Sequence, residues 1–186
     1  EVAHEYFVER REWTPYEAIP ENAIHAVMAT EDREFFDHWG MNVWAIPSAI
    51  LESATSGKKM RGASTLTQQL TKLLFLTPER SISRKIKEAM TAIRIEQTYT
   101  KEEILEFYMN EVYLAAGNYG FQAAGKYYFG KPLDSLSIPE LAVLAGMLQR
   151  PEGWRPDKNP KDSKARRNTV LYAMRDAGYI TDEEYH

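Results

Sequence analysis

Thr65-x-x-Gln68, Thr100-x-x-Glu103, Ser137-x-x-Glu140 and Thr181-x-x-Glu184 share one pattern, a hydroxyl residue followed three positions later by Glu or Gln. Each half of the pattern satisfies a backbone N–H that the first turn of a helix leaves unpaired, so the pattern marks where helices begin. Apolar residues at helical spacing follow three of these starts: Leu66, Leu70, Leu73 and Leu74; then Leu105, Tyr108 and Met109; then Leu141, Leu144 and Leu148. Pro20 suits a helix first turn, with Ile24, Val27 and Met28 behind it, and that helix is expected to run towards residues 31–35 and stop before Gly40. Ser83 is expected to cap a long helix through Ile86, Ala89, Met90 and Ile93. A last long helix is expected over 161–176, with Gly178 after it. Residues 43–51 are apolar but contain Pro47, which predicts a kinked or broken helix. Residues 53–62 and 117–120 read as loops, and Pro78 and Pro151 close helices. Strand signals are weak, and no repeat or linker interrupts the chain. The expectation is one mostly α domain over residues 1–186. The chain opens on Glu1 without Met, and Thr181 starts a helix that the sequence does not complete, so a fragment of a longer, membrane-anchored protein is expected.

Composition excludes several chemistries. There is no cysteine, hence no disulfide framework, thiol nucleophile or cysteine–zinc site. The four histidines include no pair at metal-ligand spacing, so no metal site is expected. No apolar run reaches the ~18 residues a membrane span needs. The net charge of −4 argues against nucleic acid. That net figure hides an asymmetry: residues 1–60 carry −6, residues 61–100 carry +4, and the rest carries −2. A basic middle in an acidic chain suggests a local anion site; chance clustering is the alternative.

Three clusters could carry chemistry. Glu31-Asp32-Arg33-Glu34-Phe35-Phe36-Asp37-His38-Trp39-Gly40 crowds carboxylates, one imidazole and aromatic rings at a helix end. Carboxylates beside rings lose hydration, a condition that suits proton transfer, although a solvated acidic helix end would look the same. Arg61-Gly62-Ala63-Ser64-Thr65 opens a helix bearing Gln68, Gln69 and Lys72, and free N–H groups at a helix start suit phosphate or sugar oxygens; an ordinary cap with a polar face is the bland alternative. In Arg84-Lys85-x-x-Glu88 both cations fall on the same helix face as the carboxylate, either as a site for a polyanion or as a surface ion-pair ladder. Two separated carboxylates with a basic patch combine the logic of glycosidic chemistry with a phosphate-bearing leaving group.

The ordered motifs Glu31-Asp-x-x-Phe35-x-x-His38-x-Gly40, Gly62-Ala-Ser-Thr-Leu-Thr-Gln-Gln69 and Arg84-Lys85-x-x-Glu88 resemble the peptidoglycan glycosyltransferase family, the glycosyltransferase domain of bifunctional class A penicillin-binding proteins and of monofunctional transglycosylases. Glu103-Ile-Leu-Glu-x-Tyr108-Met-Asn110, Tyr128-Phe-Gly-Lys131 and Glu140-Leu-Ala-x-Leu-Ala145-Gly-x-x-Gln149-x-Pro151 extend the likeness over residues 20–171. Leu66 and Met109 depart mildly, standing where Ile and Leu are common. The resemblance implies a lysozyme-like helical single domain with a membrane-proximal lobe. It implies a multifunctional parent enzyme of cell-wall biogenesis and cell shape that polymerises lipid II into β-1,4-linked glycan with inversion and releases undecaprenyl diphosphate. It implies catalytic roles for Glu31, as general base, and for Glu88, beside the donor. Substrate-binding roles fall to Asp32, Phe35, His38, Ser64, Thr65, Gln69, Lys72, Arg80, Arg84 and Lys85. Its partners would be lipid II, the lipid-linked growing glycan, the membrane surface and a phosphoglycolipid inhibitor of the moenomycin type. The location would be the outer, periplasmic face of the bacterial cytoplasmic membrane. No tightly bound cofactor is implied, and stimulation by a divalent cation such as magnesium or manganese is allowed.

Two other classes compete. A lysozyme-like hydrolase or lytic transglycosylase would use carboxylates without the cations around a diphosphate, and a glycan-binding module would need neither carboxylate. Val43, Trp44, Ile46, Ile50 and Leu51 followed by Lys58, Lys59, Met60 and Arg61 also suit a membrane-interface segment, with a core helix and a basic loop as the alternative.

Overall fold

The computed structural model describes residues 9–41, 64–75 and 82–186, with the side chain of Ile82 left aside. The expectations for residues 43–51 and 53–62, for the interfacial segment with Lys58–Arg61, for Pro78 and for Arg80 lie outside the described residues.

In chain order the elements are β1 (Arg10–Arg11), α1 (Glu21–Glu31), α2 (Leu66–Phe75), α3 (Ile82–Thr98), α4 (Lys101–Glu111), β2 (Asn118–Tyr119), α5 (Phe121–Phe129), α6 (Ile138–Met147), α7 (Pro160–Asp176) and α8 (Asp182–Tyr185). The fold is mostly α, as the helix-start pattern requires. It comprises two compact units. One combines Glu1–Thr30 with Met109–His186, and the other is the stretch Glu31–Tyr108 between them.

The Glu31–Tyr108 unit holds the sequence clusters. Helices α2 and α3 pack on one another. Helix α2 buries Leu66, Thr67, Gln68, Leu70 and Thr71 and exposes Lys72, Leu73, Leu74 and Phe75. Both capping-box starts expected in this unit, at Thr65 and Thr100, are made as reciprocal pairs. Thr65 N–H donates to Gln68 Oε1 at 3.3 Å, and Gln68 N–H donates to Thr65 Oγ1 at 3.2 Å. Thr100 N–H donates to Glu103 Oε2 at 2.8 Å, and Glu103 N–H donates to Thr100 Oγ1 at 3.2 Å.

Of two helix boundaries, one matches expectation and one differs. Helix α1 stops at Glu31, the near edge of the residues 31–35 towards which it is expected to run. The Asp32 carboxylate is drawn to the first N–H of α2, and the chain tightens into turns through Phe35 N–H to Asp32 O at 3.2 Å and Asp37 N–H to Glu34 O at 2.9 Å. Helix α3 begins at Ile82, so Ser83 lies within its first turn, two positions past where a cap must sit.

In the other unit α6 packs on α7, burying Leu141, Leu144, Met147, Val170 and Met174. A Cβ on Gly146 would come within 3.0 Å of Arg166 Cγ. The Ser137 and Thr181 starts are also made, with Ser137 N–H to Glu140 Oε2 and Thr181 N–H to Glu184 Oε2 both at 2.8 Å. The expected loop over 117–120 contains β2, which pairs in parallel with β1 through Arg10↔Asn118 and Arg11↔Tyr119. Gly120 adopts φ +81°, and a Cβ there would lie 2.7 Å from Asn110 O, so this position requires glycine. Among the described residues, no helix is long and apolar enough to cross a membrane.

Candidate active site

Asp32 is the centre of a buried cradle. It is 8 % exposed. Its Oδ2 accepts from Leu66 N–H, the first residue of α2, at 2.9 Å. A carboxylate there satisfies an unpaired helix N–H and faces the positive end of the helix dipole. His38 Nε2 lies 3.0 and 2.8 Å from the two Asp32 oxygens. Gly40 N–H donates to His38 Nδ1 at 3.2 Å, which assigns the remaining imidazole proton to Nε2 and makes it the donor to Asp32. Thr65 Oγ1 donates to Gly40 O at 2.8 Å, tying the turn to the start of α2. Gly40 itself has φ +90°, and a Cβ there would lie 2.9 Å from Glu96 Cγ and 3.0 Å from Ala92 O.

Beneath the turn, the fully buried Phe35 ring meets His38 edge-on with centroids 6.0 Å apart. Lys101 Nζ stands 4.4 Å from the Phe35 centroid and donates to His38 O at 2.5 Å. Its charge is matched by Glu96 Oε2 at 2.7 Å, and Glu96 also accepts from Thr67 Oγ1 at 2.5 Å. Aromatic face, carbonyl and carboxylate together make a low-cost place for a mostly buried ammonium. Of the residues read from the sequence as substrate-binding, Asp32, His38 and Thr65 thus have polar side-chain atoms turned to one another and to backbone, and Phe35 is buried against His38.

Glu31 is next in the chain and differently placed. It is half-buried at the end of α1. Gln69 Nε2 donates to Glu31 Oε2 at 3.0 Å, and the Tyr108 hydroxyl donates to Gln69 Oε1 at 3.1 Å. Burial first, and then the charge of Glu31, raise the Tyr108 phenol well above its ordinary range, so it stays protonated.

Glu88 is the second candidate carboxylate and is 2 % exposed. Lys85, one turn earlier on α3, donates a short hydrogen bond to Glu88 Oε1. It also donates to Ser64 Oγ at 2.9 Å, which joins the start of α2 to α3. The Lys85 side chain is half exposed, so a buried anion reaches solvent through its cation. Arg84 is half-buried on α3, and Lys72 is exposed on α2. Among the described residues no group of three or more acidic or histidine side chains is gathered for a metal ion.

Sequence reasoning missed Tyr108, Glu96 and Lys101 as members of this assembly. Tyr108 reads as part of an apolar helix stripe, and Glu96 and Lys101 straddle a helix break, outside the spacings that reveal ion pairs within one helix.

A family model described as transglycosylase matches residues 1–175. The chain belongs to the transglycosylase family. Relatives of this transglycosylase domain include penicillin-binding protein 1A of Aquifex aeolicus, 45% identical over 96% of this chain, and that of Escherichia coli, 44% identical over 100% of this chain. The chain spans about a quarter of the length of these relatives, 24% and 22% respectively. A crystal structure of penicillin-binding protein 1A from Haemophilus influenzae matches with a TM-score of 0.58 and 26% identity, covering 95% of this chain and 17% of that one. The mostly helical transglycosylase fold therefore stands on both sequence and structure.

Proposed function

We propose that this transglycosylase domain is a peptidoglycan glycosyltransferase that extends a lipid-diphosphate-linked glycan with lipid II. The acceptor's glucosamine 4-hydroxyl oxygen attacks the anomeric carbon of the donor's terminal muramic acid. Its proton passes to Glu31. The bond from that carbon to the diphosphate oxygen breaks, its electron pair leaves with undecaprenyl diphosphate, and a β-1,4 linkage forms with inversion. Glu31 returns the proton to solvent. Lys85 would meet charge developing on the diphosphate, with Arg84, Lys72 and Arg80 as further contacts. Glu88, fixed by Lys85, would stabilise positive charge at the donor carbon.

The observation that carries this proposal is the unlike setting of two carboxylates in one compact unit. Glu31 is half-buried against a neutral carboxamide, and Glu88 is buried against an ammonium that itself reaches solvent. Environments that differ in this way give two carboxyl groups separate tasks. In this scheme Ser64 and Gln69 position Lys85 and Glu31, and Asp32, Phe35, His38 and Thr65 build the turn that presents Glu31. No resident cofactor takes part, and magnesium or manganese would act on the substrate's diphosphate.

Exposed Leu73, Leu74 and Phe75 on α2, and Ile86 and Met90 on α3, support a membrane-proximal lobe for the lipid. The domain would work at the outer face of the cytoplasmic membrane, and a phosphoglycolipid of the moenomycin type would occupy the donor region. Incubation with labelled lipid II tests the proposal. Long glycan strands are the expected product. Cleavage of existing glycan without polymerisation would make the chain a hydrolase or lytic transglycosylase, and binding without turnover would make it a glycan-binding module.

A further inference from the structure

The hydroxyl of Tyr108 is not explained by packing. The residue is 1 % exposed on α4, and phenylalanine would fill the same space without burying a polar group. What distinguishes tyrosine is the hydrogen bond to Gln69 Oε1, and the other end of that carboxamide is bonded to Glu31. All three residues belong to the Glu31–Tyr108 unit, on α4, α2 and the last position of α1.

We infer that Tyr108 is a positioning residue for Glu31, acting through the Gln69 carboxamide to hold the carboxylate in one orientation. The logic is directional. A carboxamide can turn end for end with little change of shape, and a flipped Gln69 would press its oxygen against the Glu31 carboxylate. The Tyr108 O–H donates to the carbonyl end and so fixes the amide with its N–H groups toward Glu31. Donation at the carbonyl also polarises the amide, which strengthens the N–H as a donor to the carboxylate. Because the phenol is held protonated by its burial, this donor persists across the whole range in which Glu31 titrates. The relay favours the charged form of Glu31 before reaction and restricts its rotation, so that the carboxylate meets the attacking hydroxyl in one geometry.

The inference rests on Glu31 as the base of the proposed glycosyl transfer, and two readouts separate the claims. The Glu31 carboxyl is titrated by NMR in glutamate-labelled protein, with Glu31→Gln identifying its signal, and lipid II polymerisation is followed against pH. In Tyr108→Phe the Glu31 midpoint should rise by about half a pH unit, the size expected when a hydrogen bond one link removed is lost. The acid limb of kcat should move with it, kcat should fall about 3- to 10-fold, and KM should change less than about two-fold. Gln69→Ala should shift the midpoint at least as far, and Tyr108→Phe added to Gln69→Ala should change nothing more. If Tyr108→Phe does not fold, a fluorinated tyrosine at the same position, being a stronger donor, should move the midpoint down. An unmoved midpoint and pH profile, or independent effects of the two substitutions, would overturn the relay. A chain that makes no glycan at all fails the functional proposal instead, since the titration needs no substrate.

Discussion

Glu31 and Asp32 sit side by side in the sequence, yet the structure gives them opposite environments. Asp32 is enclosed, with both oxygens on His38 and one on the first N–H of α2. Its protein partners do what water would otherwise do. Glu31 closes α1 half-buried, with the neutral Gln69 amide against one oxygen. The backbone makes the difference: ending α1 at Glu31 turns the next residue inward beneath α2 while its neighbour stays at the edge. A carboxylate saturated by the protein stabilises a turn. A half-buried carboxylate beside a neutral amide can still exchange a proton.

Substitutions at the pair should separate the two roles. Glu31→Gln should lower lipid II turnover by about 10²–10⁴-fold while leaving thermal unfolding and inhibitor binding close to those of the parent. Turnover within a few-fold of the parent would move the base elsewhere. Asp32→Asn should do the reverse, costing about 1.5–3 kcal/mol of folding stability because the His38 imidazole and the α2 N-terminus lose a charged acceptor. A variant as stable as the parent but inactive would show that Asp32 touches substrate. Gly40→Ala tests the cradle without altering charge. Its positive φ and the close approach of Glu96 and Ala92 predict a loss of about 1–3 kcal/mol by denaturant titration. Thr100→Ala, which removes the side-chain acceptor at the start of α4, should cost about 1 kcal/mol by denaturant titration.

The smallest effect should come from the carboxylates that flank Arg155 in the other unit. Glu152 is held below the usual carboxylate range chiefly by the Tyr113 hydroxyl and also by Arg155, and Asp157 chiefly by the Arg155 guanidinium. A depressed folded value means that the stability is present at neutral pH and is lost as pH falls through that value. Both groups are partly exposed, so Arg155→Gln should flatten the acid limb of the stability curve by less than about 1 kcal/mol.

Helix starts were legible in the sequence because a capping box is local: Thr65, Thr100, Ser137 and Thr181 each find their partner three residues away. The end of α1 was legible only to within residues 31–35, because what sets it lies at Leu66, far along the chain. The carboxylate–cation pair on α3 could be read from its spacing, whereas the role of Ser64 in holding Lys85 could not. The clusters around Glu31 and Glu88 were visible as composition. Which of their members face inward was decided by long-range contacts: Gly40 with Thr65, Lys101 with Phe35, and Gln69 between two helices. Tyr108 was hidden most completely, since its ring obeys the apolar period and its hydroxyl acts across the fold.

The interleaving of the two units sets an order of assembly during synthesis. The Glu31–Tyr108 unit is continuous, so all of its partners have been made once the ribosome has passed Tyr108. The other unit must wait: Arg10 cannot pair until Asn118 exists, and the amide of Thr14 needs the side chain of Asn110. Closing those contacts carries the entropy of a long loop, which a folded insert shortens by bringing its two ends to fixed positions. The portion of the nascent chain that carries both carboxylates can therefore be completed before Arg10 and Thr14 meet their partners.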